Sequence, residues 1–344
     1  MKNNTKYFEQ LGIMTSAVNE KQHDSLQAMI TEIRKLKKEK NAKILSHYYM
    51  PASIQITEEL GGIADFTGDS LGLSVNAMNV SADHIIFCGV KFMAETAKIL
   101  NSSKNILLPD MHAGCSLASS ITGKDVIELK RQHPGVPVIA YINTYAETKA
   151  EVDVCCTSRN ALKIAKSFKE DKLIFVPDEF MGRNLRSVIT RETGKEMILW
   201  SGKCEVHEQF NKRMIDSYTL EYPEAEVLVH WEVPDEAVNS SLKIRKGIVG
   251  STLDILNYVG KSNAQQFILG SECDLGATLK GMYRDKEFVT PCISCPHMKT
   301  ITMENTLEAL RAIGTADEEK YLVDVPEPIL SRAYIPIKRM IDLS

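Results

Sequence analysis

Four local patterns recur along this chain in one order, at a step near ninety residues, and a chain with that property is built from three copies of one unit. The first pattern ends an apolar, β-branched run. KILSHYY, VIAYINT and VLVHWEV align His47, Tyr141 and His230, which lie 94 and 89 residues apart. Two positions on, the alignment pairs Tyr49, Asn143 and Glu232, so each pair shares one face of an extended chain. The second pattern is a small hydroxyl pair opening a helix, with Ser70, Ser158 and Ser251 at steps of 88 and 93 and Thr252 beside the last. The third is a strand followed by Gly, Pro or an acid and then a helix, in IIFCGVKFMAE, LIFVPDEFMGR and FILGSECDLGA. The fourth carries cysteine: Cys115, Cys204 and Cys295 stand at steps of 89 and 91.

Short β-branched runs alternate with longer amphipathic ones, which predicts parallel sheets covered by helices on both faces. Strands are expected at Lys43–Ser46, His84–Cys88, Asn105–Leu108, Val136–Ile142, Leu173–Val176, Met197–Trp200, Glu226–His230 and Phe267–Gly270. Helices are expected at Ser25–Glu39, Met93–Leu100, Gly123–Gln132, Asn160–Phe168, Asn184–Thr193 and Leu307–Ile313. The fold class is therefore α/β: three similar three-layer αβα repeats around a pseudo-threefold axis, with the active site at the centre, where the carboxyl ends of the strands gather. The repeats run 1–112, 113–200 and 201–300, with the 301–344 segment joining the first.

A formal net charge of −4 argues against nucleic acid or an anionic membrane as partner, because both are bound through a broad positive surface. Small molecules are the expected ligands. The basic run Arg34–Lys40 ends a helix, where cations suit the dipole. With 44% hydrophobic and 25% charged residues and no apolar run of spanning length, the chain reads as a water-soluble globule. Its first twenty residues lack a secretory or transit pattern, which makes the cytoplasm the expected compartment.

Eight cysteines in a reducing compartment point to metal ligands or buried thiols rather than a disulfide framework. One cysteine per repeat does not fit a zinc ribbon or a CxxC redox pair, whose ligands are sequence neighbours. It suits a cubane cluster with three thiolates and one iron left open to act as a Lewis acid. Cys88, Cys155 and Cys156 lie in apolar runs and read as core, Cys273 heads a helix, and Cys292, in CISC with Cys295, reads as a reversible disulfide partner, a substitute ligand or, as the favoured expectation, a loop thiol.

The motifs SHYYM, ADFTGDSL, FMAE, AGCSLA, YINTYAETK, CCTSRNA, GKCEVHEQF, VHWE, VGST and CPHMK, in this order from about Lys43 to Leu310, resemble the quinolinate synthase family. The resemblance implies condensation of iminoaspartate with dihydroxyacetone phosphate, with loss of phosphate and two waters, to give quinolinate for NAD biosynthesis. It implies an oxygen-labile [4Fe–4S] cluster on Cys115, Cys204 and Cys295, the thiols the repeat selects independently. It also implies that His47, Tyr49, Tyr141, Asn143, His230 and Glu232 surround the substrate, and that Ser70, Ser158, Ser251 and Thr252 hold its acidic groups. Contact with the enzyme that produces iminoaspartate is a further expectation.

Elementary chemistry agrees with that set. Hydroxyls beside free amides at helix N-termini suit a dicarboxylate and a phosphate. Ring formation needs proton removal next to a carbonyl and protonation of departing hydroxyls, for which His47, His230, Glu232, Tyr49 and Tyr141 are the candidates. Lys149 reads either as a phosphate partner or as a surface partner of Glu147. His207, three beyond Cys204, reads as a support for that thiolate, a substrate group or a helix cap. Arg159 and the acidic Glu58-Glu59 stretch depart from the family pattern and bear on the shape of an access loop. Two rival readings are an iron–sulfur hydro-lyase for another hydroxy acid and a cluster-based sensor without turnover.

Overall fold

The computed structural model describes residues 20–344 apart from Arg245. The reading of the chain's start as free of a targeting pattern lies outside the described residues. The chain divides into two compact units, one holding the residues up to Gly114 with Asp274–Arg284 and Ser294–Asp324, the other holding Cys115–Cys273, Asp285–Ile293 and Val325–Ser344.

Unit one contains one parallel sheet. Its strands β1 (Ala42–His47), β2 (Phe66–Gly68), β3 (His84–Cys88) and β4 (Asn105–Leu107) lie in the order β2-β1-β3-β4. Side chains of β1 and β3 are buried on both faces, as continuous apolar runs such as Ile85-Ile86-Phe87 require, and each large apolar side chain so buried contributes about 1.5–3 kcal/mol. Helices Glu20–Glu39 and Met303–Ala312 pack together, as do Ser70–Asn79 and Lys91–Leu100.

Unit two repeats the same topology twice. Strands β5 (Val138–Tyr141), β6 (Val154–Cys156), β7 (Lys172–Val176) and β8 (Glu196–Leu199) are ordered β6-β5-β7-β8. Strands β9 (Glu226–His230), β10 (Gly247–Gly250), β11 (Gln266–Gly270) and β12 (Glu287–Val289) are ordered β10-β9-β11-β12. All three sheets are parallel and helix-flanked, so the expected three αβα repeats are present. Register repeats as well: His47 pairs with Gly68, Tyr141 with Cys156 and His230 with Gly250. The amide after each of these residues then donates to the partner's carbonyl, at 3.2, 2.7 and 3.1 Å.

Of the 301–344 segment expected with the first repeat, residues to Asp324 stay in unit one, where Leu322 bridges Leu107. Helix Ile329–Asp342 belongs to unit two and packs on β6 and the short helix Ala146–Lys149. Among the described residues no helix is long and apolar enough to cross a membrane. One expectation is corrected: Cys292 is not a free loop thiol but forms a disulfide with Cys273. The helix that Cys273 heads brings it beside the loop after β12, where its amide donates to Ile293 at 3.0 Å.

Candidate active site

The three cysteines sit in turns of one construction. Each cysteine carbonyl accepts the amide four residues on: Ser119 to Cys115 at 3.0 Å, Glu208 to Cys204 at 2.9 Å and Lys299 to Cys295 at 3.2 Å. A short 3-10 turn follows each, at Ala118–Ser120, His207–Gln209 and Met298–Thr300. Seven residues after each cysteine stands a helix cap, Thr122, Asn211 or Thr302, whose side chain accepts an amide of the first turn. Upstream, the amide of Lys91, Glu179 or Cys273 donates to the carbonyl two residues before the cysteine, at 2.7, 2.7 and 3.0 Å. The cysteine turn is thus fastened at both ends in all three repeats.

Unit two carries Cys115, Cys204 and most of the candidate polar groups. Glu232, fully packed, is their hub. It accepts from the Tyr141 hydroxyl at 2.6 Å, lies 3.3 Å from His207 Nδ1 and 3.4 Å from His230 Nδ1. The two imidazoles stack with centroids 4.7 Å apart, and His207 Nδ1 is also 3.3 Å from Cys204 Sγ. Tyr141 comes from the end of β5 and Glu232 from just beyond β9, so the strand ends of two repeats meet here.

Electrostatics separate the groups. Burial pushes the Glu232 carboxyl up, but the charge and hydrogen bond of His207, the charge of His230 and the Tyr141 hydroxyl outweigh it and hold the group at about 2. Burial, then the charge of Glu232, raises Asp178 well above the carboxylate range, against the pull of the Met181, Cys204 and Phe180 amides. Burial, then Glu232, Cys115 and Asp178, raises the Cys204 thiol, although part of that residue's surface stays accessible. Burial beside the ionised Glu232 and a second thiol disfavours a bare Cys204 thiolate, and a positively charged metal group would reverse that, so the donor set fits one. Cys204, His207 and Glu232 offer ligand atoms within 4.8 Å of one another, and Sγ of Cys115 accepts the Ala118 amide at 3.4 Å.

The remaining residues divide as follows. Asn143 in unit two keeps Oδ1 buried without a hydrogen-bond partner among the described residues. Ser251 caps helix Thr252–Lys261 in a full capping box with Asp254, and both Ser251 and Thr252 are buried. Ser158 does not cap: Asn160 holds the N-cap position of the next helix without a side-chain cap bond, and its Oδ1 accepts the Thr157 amide at 2.7 Å. Lys149 is fully buried and donates to the Thr144 carbonyl, so it is not a surface partner of Glu147.

Unit one carries His47, Tyr49, Ser70 and Cys295. The Tyr49 amide donates to His47 Nδ1 at 3.1 Å, and the rings meet edge-on at 4.8 Å. Ser70 is the first helical residue and Asp69 is the cap, accepting from Gly72 at 2.7 Å. Lys299, four beyond Cys295, pairs with Asp274 and donates to the Tyr49 carbonyl at 2.8 Å, which ties the Cys295 turn to the Tyr49 turn. Sequence reasoning left Lys299 and Asp178 unassigned. The signal for Asp178 was the acid in the third recurring pattern.

Burial also accounts for the other thiols. It pushes Cys88 and Cys155 up to about 12 and, with the charge of Cys155, raises Cys156 well above the ordinary thiol range, as befits core residues.

Comparison with known proteins adds a lineage to this geometry. Residues 31–342 match the family model described as "Quinolinate synthetase A protein". A quinolinate synthase of Caulobacter vibrioides is 43% identical over 319 residues, covering 92% of this chain and 82% of that protein. One from Synechocystis sp. is 40% identical over 339 residues, covering 96% and 100%, and one from Sinorhizobium medicae is 40% identical over 311, covering 90% and 81%. With a family match over nearly its whole length and such relatives, the chain belongs to the quinolinate synthetase A family, a family of iron–sulfur enzymes.

Proposed function

We propose that the chain forms quinolinate from iminoaspartate and dihydroxyacetone phosphate, with loss of phosphate and two waters, at a [4Fe–4S] cluster held by Cys115, Cys204 and Cys295. The observation that carries the reading is the threefold cysteine turn, fastened identically in all three repeats. Three thiolates leave one iron of a cubane without a protein ligand, and when bound that iron supplies Lewis acidity toward substrate oxygen.

The chain's own residues supply the rest. Glu232, ionised across the neutral range, anchors the His207–His230 pair and the Tyr141 hydroxyl, which fixes where protons sit. His230, His47, Tyr49 and Tyr141 are the groups that take and return protons during dehydration. Ser70, Ser158, Ser251, Thr252 and Asn143 receive the carboxylates and phosphate, and the Ser251 hydroxyl does so at a helix N-terminus, where anions are favoured. In this reading the repeats run 1–112, 113–200 and 201–300, and each of the three sheets lies within one of these stretches. The enzyme works in the cytoplasm on small molecules, in functional contact with the source of iminoaspartate.

The test follows phosphate. Quinolinate and inorganic phosphate should appear in equal amounts and neither without dihydroxyacetone phosphate. Turnover of a hydroxy acid with no phosphate released would replace this reaction with another dehydration.

A further inference from the structure

We infer that Asn184, on helix Glu179–Thr193 of the second repeat, is a positioning residue for Glu232 of the third: its side-chain amide holds the two carbonyls that flank Glu232 and so aims the carboxylate. The inference rests on the reading of Glu232 as the hub of the reaction proposed above.

The three strand-end turns isolate the residue. Tyr49, Asn143 and Glu232 occupy one position of the repeat, and Met50, Thr144 and Val233 follow them. In every repeat the carbonyl of that following residue accepts from a buried side chain. Gln55 Nε2 donates to Met50 at 3.0 Å, Lys149 Nζ to Thr144, and Asn184 Nδ2 to Val233 at 2.9 Å. Gln55 and Lys149 each stand five residues beyond the carbonyl they hold. Five beyond Val233 the chain has Val238, which has no donor to give, and the bond comes from another element instead.

The substitute does more than fill the gap. Nδ2 of Asn184 also donates to the Trp231 carbonyl at 2.8 Å, so both amide hydrogens are used and the peptides on either side of Glu232 are fixed to one rigid helix. Within the turn, the Val233 amide donates to the His230 carbonyl at 3.0 Å and the Glu232 amide to His230 Nδ1 at 3.4 Å. Backbone held at these points lets one carboxylate meet Tyr141, His207 and His230 together. Asparagine is a poor helix former, and a buried amide is costly unless it is bonded, so these two bonds account for a buried asparagine inside a helix.

Asn184→Leu is of similar size and removes both donors. Asn184→Ser is the second variant, with one short hydroxyl that cannot serve two carbonyls. Full-length wild type and variants are purified without oxygen, with iron content and thermal melting of the metal-free proteins monitoring cluster and fold. The expected result in both variants is a kcat about 10²-fold lower at wild-type iron content, with KM changed less than about 3-fold. That loss should disappear when Glu232→Gln is already present, because an absent charge cannot be misaimed, whereas a loss through the scaffold repeats in both backgrounds. A crystal structure of metal-free Asn184→Leu reads the geometry without turnover: the 2.6 Å contact between Tyr141 and Glu232 should open beyond hydrogen-bond distance. A retained contact, wild-type kcat in either folded variant, or equal losses in the two backgrounds overturns the inference and leaves the reaction standing. A wild type that carries iron and forms no quinolinate overturns the reaction and the inference together.

Discussion

Replacing Glu232 with glutamine removes the charge on which two imidazoles and a tyrosine converge. The gap between the ordinary 4.5 and the about 2 at which the site holds this carboxyl corresponds to about 3 kcal/mol of preference for the charged form. The folded protein binds this proton less tightly than the unfolded chain does. The stabilisation is therefore complete above about pH 4.5 and is lost as the pH falls toward 2. Because Glu232 titrates together with its neighbours, about 3 kcal/mol is a ceiling. Glu232→Gln should flatten the acid limb of stability, read by urea unfolding of the metal-free protein between about pH 3 and pH 6. In the loaded enzyme it should lower turnover about 10²–10⁴-fold while the cluster's brown absorbance persists. Near-normal turnover, or the same acid dependence in both proteins, would refute the assignment of Glu232 as the ionised hub.

Other consequences follow from the same contacts. Cys115→Ala, Cys204→Ala and Cys295→Ala should each leave a folded chain without activity and with depleted iron, and retained turnover in any one would exclude that ligand. Tyr141→Phe deletes a 2.6 Å hydrogen bond to a charged, buried acceptor and should cost about 1.5–3 kcal/mol of stability as well as lowering kcat/KM; an unchanged kcat/KM would remove Tyr141 from the proton-handling groups. Ser251→Ala breaks a capping box and should cost about 1 kcal/mol of stability and raise KM for an anionic substrate; an unchanged KM would confine Ser251 to capping.

Much of the fold was legible because the central strands are continuous apolar runs bounded by turn residues. His84–Cys88, Glu226–His230 and helix Gly123–Gln132 lie where the pattern put them. The edge strands β2, β6 and β10 were not legible, since each is three or four residues long and β2 and β10 contain glycine, which reads as a loop. The strand-end pairs were visible as a two-residue spacing, yet the meeting of Tyr141 with Glu232 depends on packing between two repeats. The disulfide escaped notice because Cys273 and Cys292 lie 19 residues apart in different elements, and pairing rests on how a helix start and a loop approach. Asp178 was seen as an acid after a strand. It is buried where it pairs with Gly202 as a parallel bridge, a contact that no local pattern encodes.

The central claim is that one metal cluster on three repeated cysteines makes quinolinate, and anaerobic purification tests it most directly. Iron and acid-labile sulfide are counted, then quinolinate is assayed from dihydroxyacetone phosphate and freshly generated iminoaspartate. About four irons per chain with product formed is the predicted result. A chain that carries no iron, or one that carries the cluster and forms no quinolinate, would contradict it.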